Sequence, residues 1–128
     1  FGWYLKKVGS ISIKRNKISK DNLSFYDDIK NIISNSKRPL IIFPQGTRVP
    51  PNERLPLKKG VSRIYEELNI KCQPIAINSG HVWPKIGKKQ SHKIITVSIL
   101  KPIGPGLTKN EFIEKLENKI YSELDLLN

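Results

Sequence analysis

Three short polar stretches each follow a run that reads as a strand: Lys14-Arg15 after residues 8–13, Gln45-Gly46-Thr47-Arg48 after residues 39–44, and Asn78-Ser79-Gly80 after residues 74–77. A guanidinium is a planar fork of donors that matches two oxygens of one phosphate, so Arg15 and Arg48 on a common edge would make an anion clamp. Gly46 would let the backbone approach the anion with no Cβ in the way, and Gln45 and Thr47 would add hydrogen-bonding groups beside it. Position alone leaves a plain alternative open, in which the arginines are solvated or ion-paired and Thr47 only caps the turn.

The elements that must position these groups follow from periodicity. Residues 8–15 alternate apolar with small or polar side chains, as a half-buried strand does. Residues 22–36 carry Phe25, Ile29, Ile32 and Ile33 at helical spacing, with Asp27 and Asp28 read as first-turn acids. Residues 39–43 are a short buried strand that Pro44 stops, and residues 49–57, with three prolines, are a loop. A helix over 58–69 buries Val61, Ile64, Tyr65 and Leu68. Residues 74–78 and 94–100 read as strands, with Ser79-Gly80 a turn and residues 102–106 too rich in Pro and Gly to continue the second. The capping box Thr108-x-x-Glu111 opens a last helix whose apolar stripe is Phe112, Leu116, Ile120 and Leu124. Strands alternating with helices predict an α/β fold with a largely parallel or mixed sheet, which would bring the three polar stretches to one edge, where open sheets bind ligands.

At 128 residues the chain is one domain's worth, residues 1–128, and its lack of methionine with Phe1 at the start reads as a portion of a longer protein. No apolar run approaches the roughly 18 residues of a membrane span, and no signal peptide pattern is present, so an anchor, if there is one, precedes Phe1. Cys72, the single cysteine, excludes an internal disulfide framework and reads as a small packed hydrophobe rather than a catalytic thiol. The net charge of +12 is uneven: residues 1–20 hold six Lys or Arg and no acid, residues 81–100 hold four and no acid, and residues 101–128 hold four bases against five acids. Two basic blocks could form a phosphate-binding surface, for lipid or nucleic acid, or simply a solubilising one.

Residue by residue, the chain resembles the glycerolipid acyltransferases that make phosphatidic acid from 1-acylglycerol-3-phosphate. Their F-P-E-G-T-R block is similar to Phe43-Pro44-Gln45-Gly46-Thr47-Arg48, with Gln in place of Glu. Their G-x-I-F-I-D-R block resembles Gly9-Ser10-Ile11-Ser12-Ile13-Lys14-Arg15, with Ser12 and Lys14 departing from it. Their apolar strand with a proline is similar to the run from Gln73-Pro74 to Gly80, and Lys59-Gly60 matches a Lys-Gly pair that bacterial members carry before a helix. The order of these blocks covers nearly the whole chain.

The resemblance implies acyl transfer from an acyl carrier protein or coenzyme A thioester to the 2-hydroxyl of lysophosphatidic acid. Arg48 and Arg15 would be the phosphate clamp, Gln45, Gly46 and Thr47 would shape the acceptor site, and Pro44, Lys59, Gly60 and Pro74 would support it. It implies no metal and no cofactor, since a thioester is already activated. It also implies an anionic membrane surface as partner, at the cytoplasmic face, and no nucleic acid. The family's H-x-x-x-x-D block, whose His is the implied base and whose Asp orients it, has no counterpart here: five residues after His81 and His92 stand Ile86 and Val97. Its place would be upstream of Phe1, leaving His81 as a packed or exposed turn residue. Trp3 and Trp83 are open between core and interfacial roles. Two rivals stand beside this reading. One is a sibling acyltransferase that uses another lysophospholipid or glycerol-3-phosphate. The other is a non-enzymatic basic module for nucleic acid or anionic membrane, although no zinc spacing, helix-turn-helix or RNP-like strand is present.

Overall fold

The computed structural model describes residues 2–11, 21–36 and 38–127. They fall into two compact units, Phe1–Ile41 and Ile42–Asn128.

In the first unit, α1 (Gly2–Lys7) stands where the sequence carries only a basic, aromatic start. Its end explains why the strand expected over residues 8–15 does not begin at Val8. Ser10 N–H donates to Leu5 C=O at 2.9 Å, Gly9 N–H donates to Lys6 C=O at 3.2 Å, and Gly9 has φ +82. This is a Schellman stop, which needs a left-handed residue that glycine supplies without strain. Val8 and Gly9 thus close a helix, and the rest of that expected strand from Ser12 to Arg15 lies outside the described residues. Arg38 Nη1 donates to Val8 C=O at 3.3 Å. The expected second helix is α2 (Asp21–Asn35), with Ile29 and Tyr26 buried. It starts early enough to put Asp27 and Asp28 in its second turn, beyond the reach expected of first-turn acids. Ile32, assigned to the apolar stripe, is exposed.

The second unit is built from α3 (Gly60–Leu68), β1 (Ile75–Ile77), β2 (Val97–Ile99) and α4 (Lys109–Leu127). Helix α4 packs against both α3 and β1. The core gathers Leu57, Val61, Tyr65, Ile103, Phe112 and Leu116. At its centre the Tyr65 and Phe112 rings stack with centroids 3.8 Å apart. The Tyr65 hydroxyl donates to Gly104 C=O and accepts Leu107 N–H at 3.2 Å, so the buried phenol is satisfied from both sides. The α4 stripe is as expected, with Phe112 and Leu116 buried and Ile120 and Leu124 half-buried.

The α/β class holds, but the sheet differs from the expected largely parallel one. Among the described residues the ladder is a single antiparallel pair, Ile75 opposite Ile99 and Ile77 opposite Val97. A parallel pair needs a crossover, usually a helix, whereas residues 78–96 supply only a short 3₁₀ turn, Ser79–His81, and irregular chain. The run at 74–78 reads from its sequence as a buried strand. Instead Pro74 and Ala76 are buried, while Ile75 and Ile77 face outward half-exposed, since α4 covers one face.

Residues 39–43 form no strand, and Ile41 and Phe43 are 75% and 82% exposed. Strand geometry is held by ladder partners, and the described residues give this segment none.

Candidate functional site

The turn that follows residues 39–43 is nevertheless well built. Gly46 N–H donates to Phe43 C=O at 3.1 Å, and Pro44 C=O accepts Lys58 N–H at 2.8 Å, tying the turn to the chain that enters α3. Gly46 has φ +69, and a Cβ there would come within 3.3 Å of Lys58 Cγ. Conformation is what calls for a glycine here, and the Lys58 stem would have to give by only a few tenths of an ångström to admit a Cβ. Lys58 serves the turn with its stem rather than its charge. Lys59 is an exposed N-cap residue and Gly60 the first residue of α3, both beside the turn and outside the groove described next.

Two of the three polar stretches meet. A groove of about 710 Å³ is lined on one side by residues from Phe43 to Glu53 and on the other by residues from Ile77 to Ile86. Gln45, Gly46, Thr47 and Arg48 all line it, as do Asn78, Ser79 and Gly80. The contact that joins the walls is Pro51 on Gly80, where a Cβ would sit 3.1 Å from Pro51 Cγ. Arg15 lies outside the described residues. Pro44, half-buried, and Pro74, buried, do not line the groove.

The groove's polar groups divide into those spent on structure and those left over. Asn78 is spent: its Oδ1 accepts Thr96 N–H at 2.7 Å, and its Nδ2 donates to Leu127 C=O at 3.3 Å. Arg54, which the sequence reading passed over, is also spent. Its Nη1 donates to Pro51 C=O at 2.6 Å, its Nη2 pairs with Asp125, and its guanidinium lies 5.5 Å from the Tyr121 ring centroid. Arg48 is exposed at the groove and, among the described residues, makes no hydrogen bond or ion pair. Among the described residues nothing engages its five donors.

Loop 49–57 holds its shape because α4 grips it. Leu57 N–H donates to Glu117 Oε1 at 2.6 Å, the Tyr121 hydroxyl donates to Leu55 C=O, and Asp125 takes Arg54. The signal was present in the sequence: Glu117, Tyr121 and Asp125 recur every fourth residue and so share one face of a helix.

His81 ends the 3₁₀ turn half-buried and lines the groove, together with Glu53 from the opposite wall. Trp83 also lines it, is 57% exposed, and has Lys89 Nζ 3.8 Å from its ring centroid, so it is not a core residue. Trp3 is 71% exposed on α1. Cys72 packs at the edge of the core, where burial pushes its thiol pKa up, the opposite of what a nucleophile needs.

Residues 1–78 match the acyltransferase family. The chain is 33% identical over 131 residues to a 1-acyl-sn-glycerol-3-phosphate acyltransferase of Saccharomyces cerevisiae, covering 96% of this chain and 43% of that protein. Against the protein of the same name from Helicobacter pylori it is 27% identical, covering 94% of this chain and 57% of that one. A third of that name, from Pseudomonas aeruginosa, is 32% identical over 89 residues, covering 68% of this chain and 34% of that one. No solved structure matches. The chain thus spans about half the length of the first two relatives. The family match takes in the turn that carries Arg48 and reaches β1, and the yeast likeness continues through nearly all the remainder: the chain belongs to the acyltransferase family.

Proposed function

We propose that the intact protein transfers a fatty acyl group from an acyl carrier protein or coenzyme A thioester to the 2-hydroxyl of 1-acylglycerol-3-phosphate, giving phosphatidic acid. The observation that carries this reading is Arg48, a guanidinium without a partner among the described residues, in a groove where Arg54 and Asn78 are already committed to structure. A phosphate monoester offers oxygens spaced for such a fork. Arg15 is assigned to the same clamp. Gln45 is assigned to hydrogen-bond the headgroup without the repulsion that a Glu would bring, and Gly46 to let the backbone come close.

In the reaction the acceptor's hydroxyl oxygen attacks the thioester carbonyl, the C–S bond breaks, and the proton passes through a base to the departing thiolate. The base is assigned to the H-x-x-x-x-D block, a pattern this sequence does not contain. The thioester supplies the activation, so the reading asks for no metal or organic cofactor. The acceptor lives in a bilayer, and the reading assigns the work to an anionic membrane surface at its cytoplasmic face.

The test is Arg48→Ala in the intact protein. Loss of charged hydrogen bonds to a phosphate is expected to cut kcat/KM for the acceptor roughly 10- to 100-fold, mostly through KM, with the donor's KM unchanged. A diffuse basic surface would barely register one charge, so an unchanged acceptor KM would end the proposal.

A further inference from the structure

The connection between β1 and β2 is a loop closed by its own hydrogen bonds. Asn78 and Thr96 clasp its base, and Gln90 N–H closes it by donating to Val82 C=O at 2.8 Å. Between residues 82 and 95 it carries Lys85, Lys88, Lys89 and Lys93 with no acid. Three of its large apolar side chains are well exposed: Ile86 is 87% exposed, Ile94 83% and Trp83 57%. Beside them, on the outer face of the sheet, Val97 is 54% exposed.

Apolar tips flanked by lysines fit one kind of partner well. An indole settles at the boundary between headgroups and acyl chains, branched aliphatics enter just below it, and lysines reach back to anionic headgroups. Lys89 already lies over the Trp83 ring, which puts the cation and the interfacial ring at one depth. Among the described residues no helix is long and apolar enough to cross a membrane, so no described helix supplies this contact by spanning.

We propose that loop 82–95 is a docking surface for an anionic lipid bilayer, with Ile86 and Ile94 inserted and Trp83 at the interface. Trp83 and Ile86 also line the groove, so docking would bring the groove mouth to the lipid surface. That consequence rests on the acyl-transfer reading, whereas the docking itself does not.

The experiment uses the 128-residue chain carrying Trp3→Phe, which leaves Trp83 as its indole reporter. It is mixed with vesicles of equal phosphatidylglycerol and phosphatidylcholine, free of lysophospholipid. Co-sedimentation, a blue shift of Trp83 emission and its quenching by brominated acyl chains are expected. Raising the salt should weaken binding, because the headgroup attraction is screened. Lys88→Ala with Lys89→Ala should lower the partition coefficient roughly tenfold or more. Ile86→Ser with Ile94→Ser should lower it by a similar factor, with far-UV circular dichroism unchanged.

Should either double variant fail to fold, the salt series and the quenching on the Trp3→Phe chain still decide. Binding without any response of Trp83, equal binding to pure phosphatidylcholine, or preference for single-stranded DNA over the vesicles would overturn the proposal. Because no acceptor or donor is present, a failure here is separable from a failure of Arg48→Ala to affect the acceptor.

Discussion

The stem of Lys58 occupies the space that a side chain on Gly46 would need: a Cβ on Gly46 would lie 3.3 Å from Lys58 Cγ and 3.6 Å from Lys58 Cε. The turn bearing Gln45, Thr47 and Arg48 is thereby held against the chain entering α3, and its shape depends on a residue with no side chain. Gly46→Ala is expected to cost about 1–2 kcal/mol from the left-handed backbone alone. The Lys58 side chain can swing aside, so sterics add less than strain does. A urea unfolding midpoint checks the stability, and acceptor kinetics of the intact protein check the turn. A variant as stable as the parent would mean that the turn changes its backbone to fit alanine.

His81 and Glu53 both line the groove. They do not follow the five-residue His-to-Asp spacing of the family, since Ile86 stands five residues after His81. The 128-residue chain alone is therefore expected to show no acyl transfer, and His81→Ala in the intact protein is expected to lower kcat less than tenfold, well short of the 10²–10⁴ typical of a lost general base. The check is thioester consumption coupled to phosphatidic acid formation. Turnover by this chain that His81→Ala abolishes would move the base into the groove.

Helix α4 holds loop 49–57 through two carboxylates of unequal worth. Asp125 pairs with Arg54 at the surface, its side chain 67% exposed, so Asp125→Ala should cost under about 1 kcal/mol. Glu117 accepts the partly buried Leu57 N–H at 2.6 Å, and removing it leaves a donor with no partner. Glu117→Ala should cost about 1–3 kcal/mol. Chemical denaturation of both variants ranks them, and an inverted order would mean that water reaches Leu57 N–H freely.

How much of this was legible depended on whether a signal was local. The Thr108-x-x-Glu111 box, the Phe112 and Leu116 stripe and the Val61 and Tyr65 stripe are period and capping signals, complete within one segment, and they appear as expected. The meeting of Gln45–Arg48 with Asn78–Gly80 was inferred from a parallel sheet, yet the structure achieves it differently, through an antiparallel pair and Pro51 resting on Gly80. A short apolar run such as residues 39–43 gives no sign of whether partners exist to cover it, so its pattern predicts a buried Phe43 where the structure has an exposed one. The Schellman stop at Gly9 competed with a strand reading of the same residues, and helix closure won because Leu5 and Lys6 carbonyls needed donors.

The capping box of α4 makes a pH-dependent contribution whose sign can be worked out. Glu111 Oε2 accepts the Thr108 hydroxyl at 2.7 Å and the Thr108 N–H at 2.9 Å, and these bonds hold the Glu111 carboxyl below the usual carboxylate range. A folded pKa below the unfolded one means that the ionised form adds stability at any pH above the unfolded value. That stability is lost as pH falls through the folded value, once both states are protonated. Glu111→Ala should therefore melt below the parent at neutral pH, and the gap should close as pH descends beneath the carboxylate range. The helix propensity difference between Glu and Ala works the other way and is much less dependent on pH, so the change in the gap, rather than its size at one pH, reports the cap. A gap that stays constant across the titration would assign the effect to propensity, and the box would then contribute no pH-dependent stability.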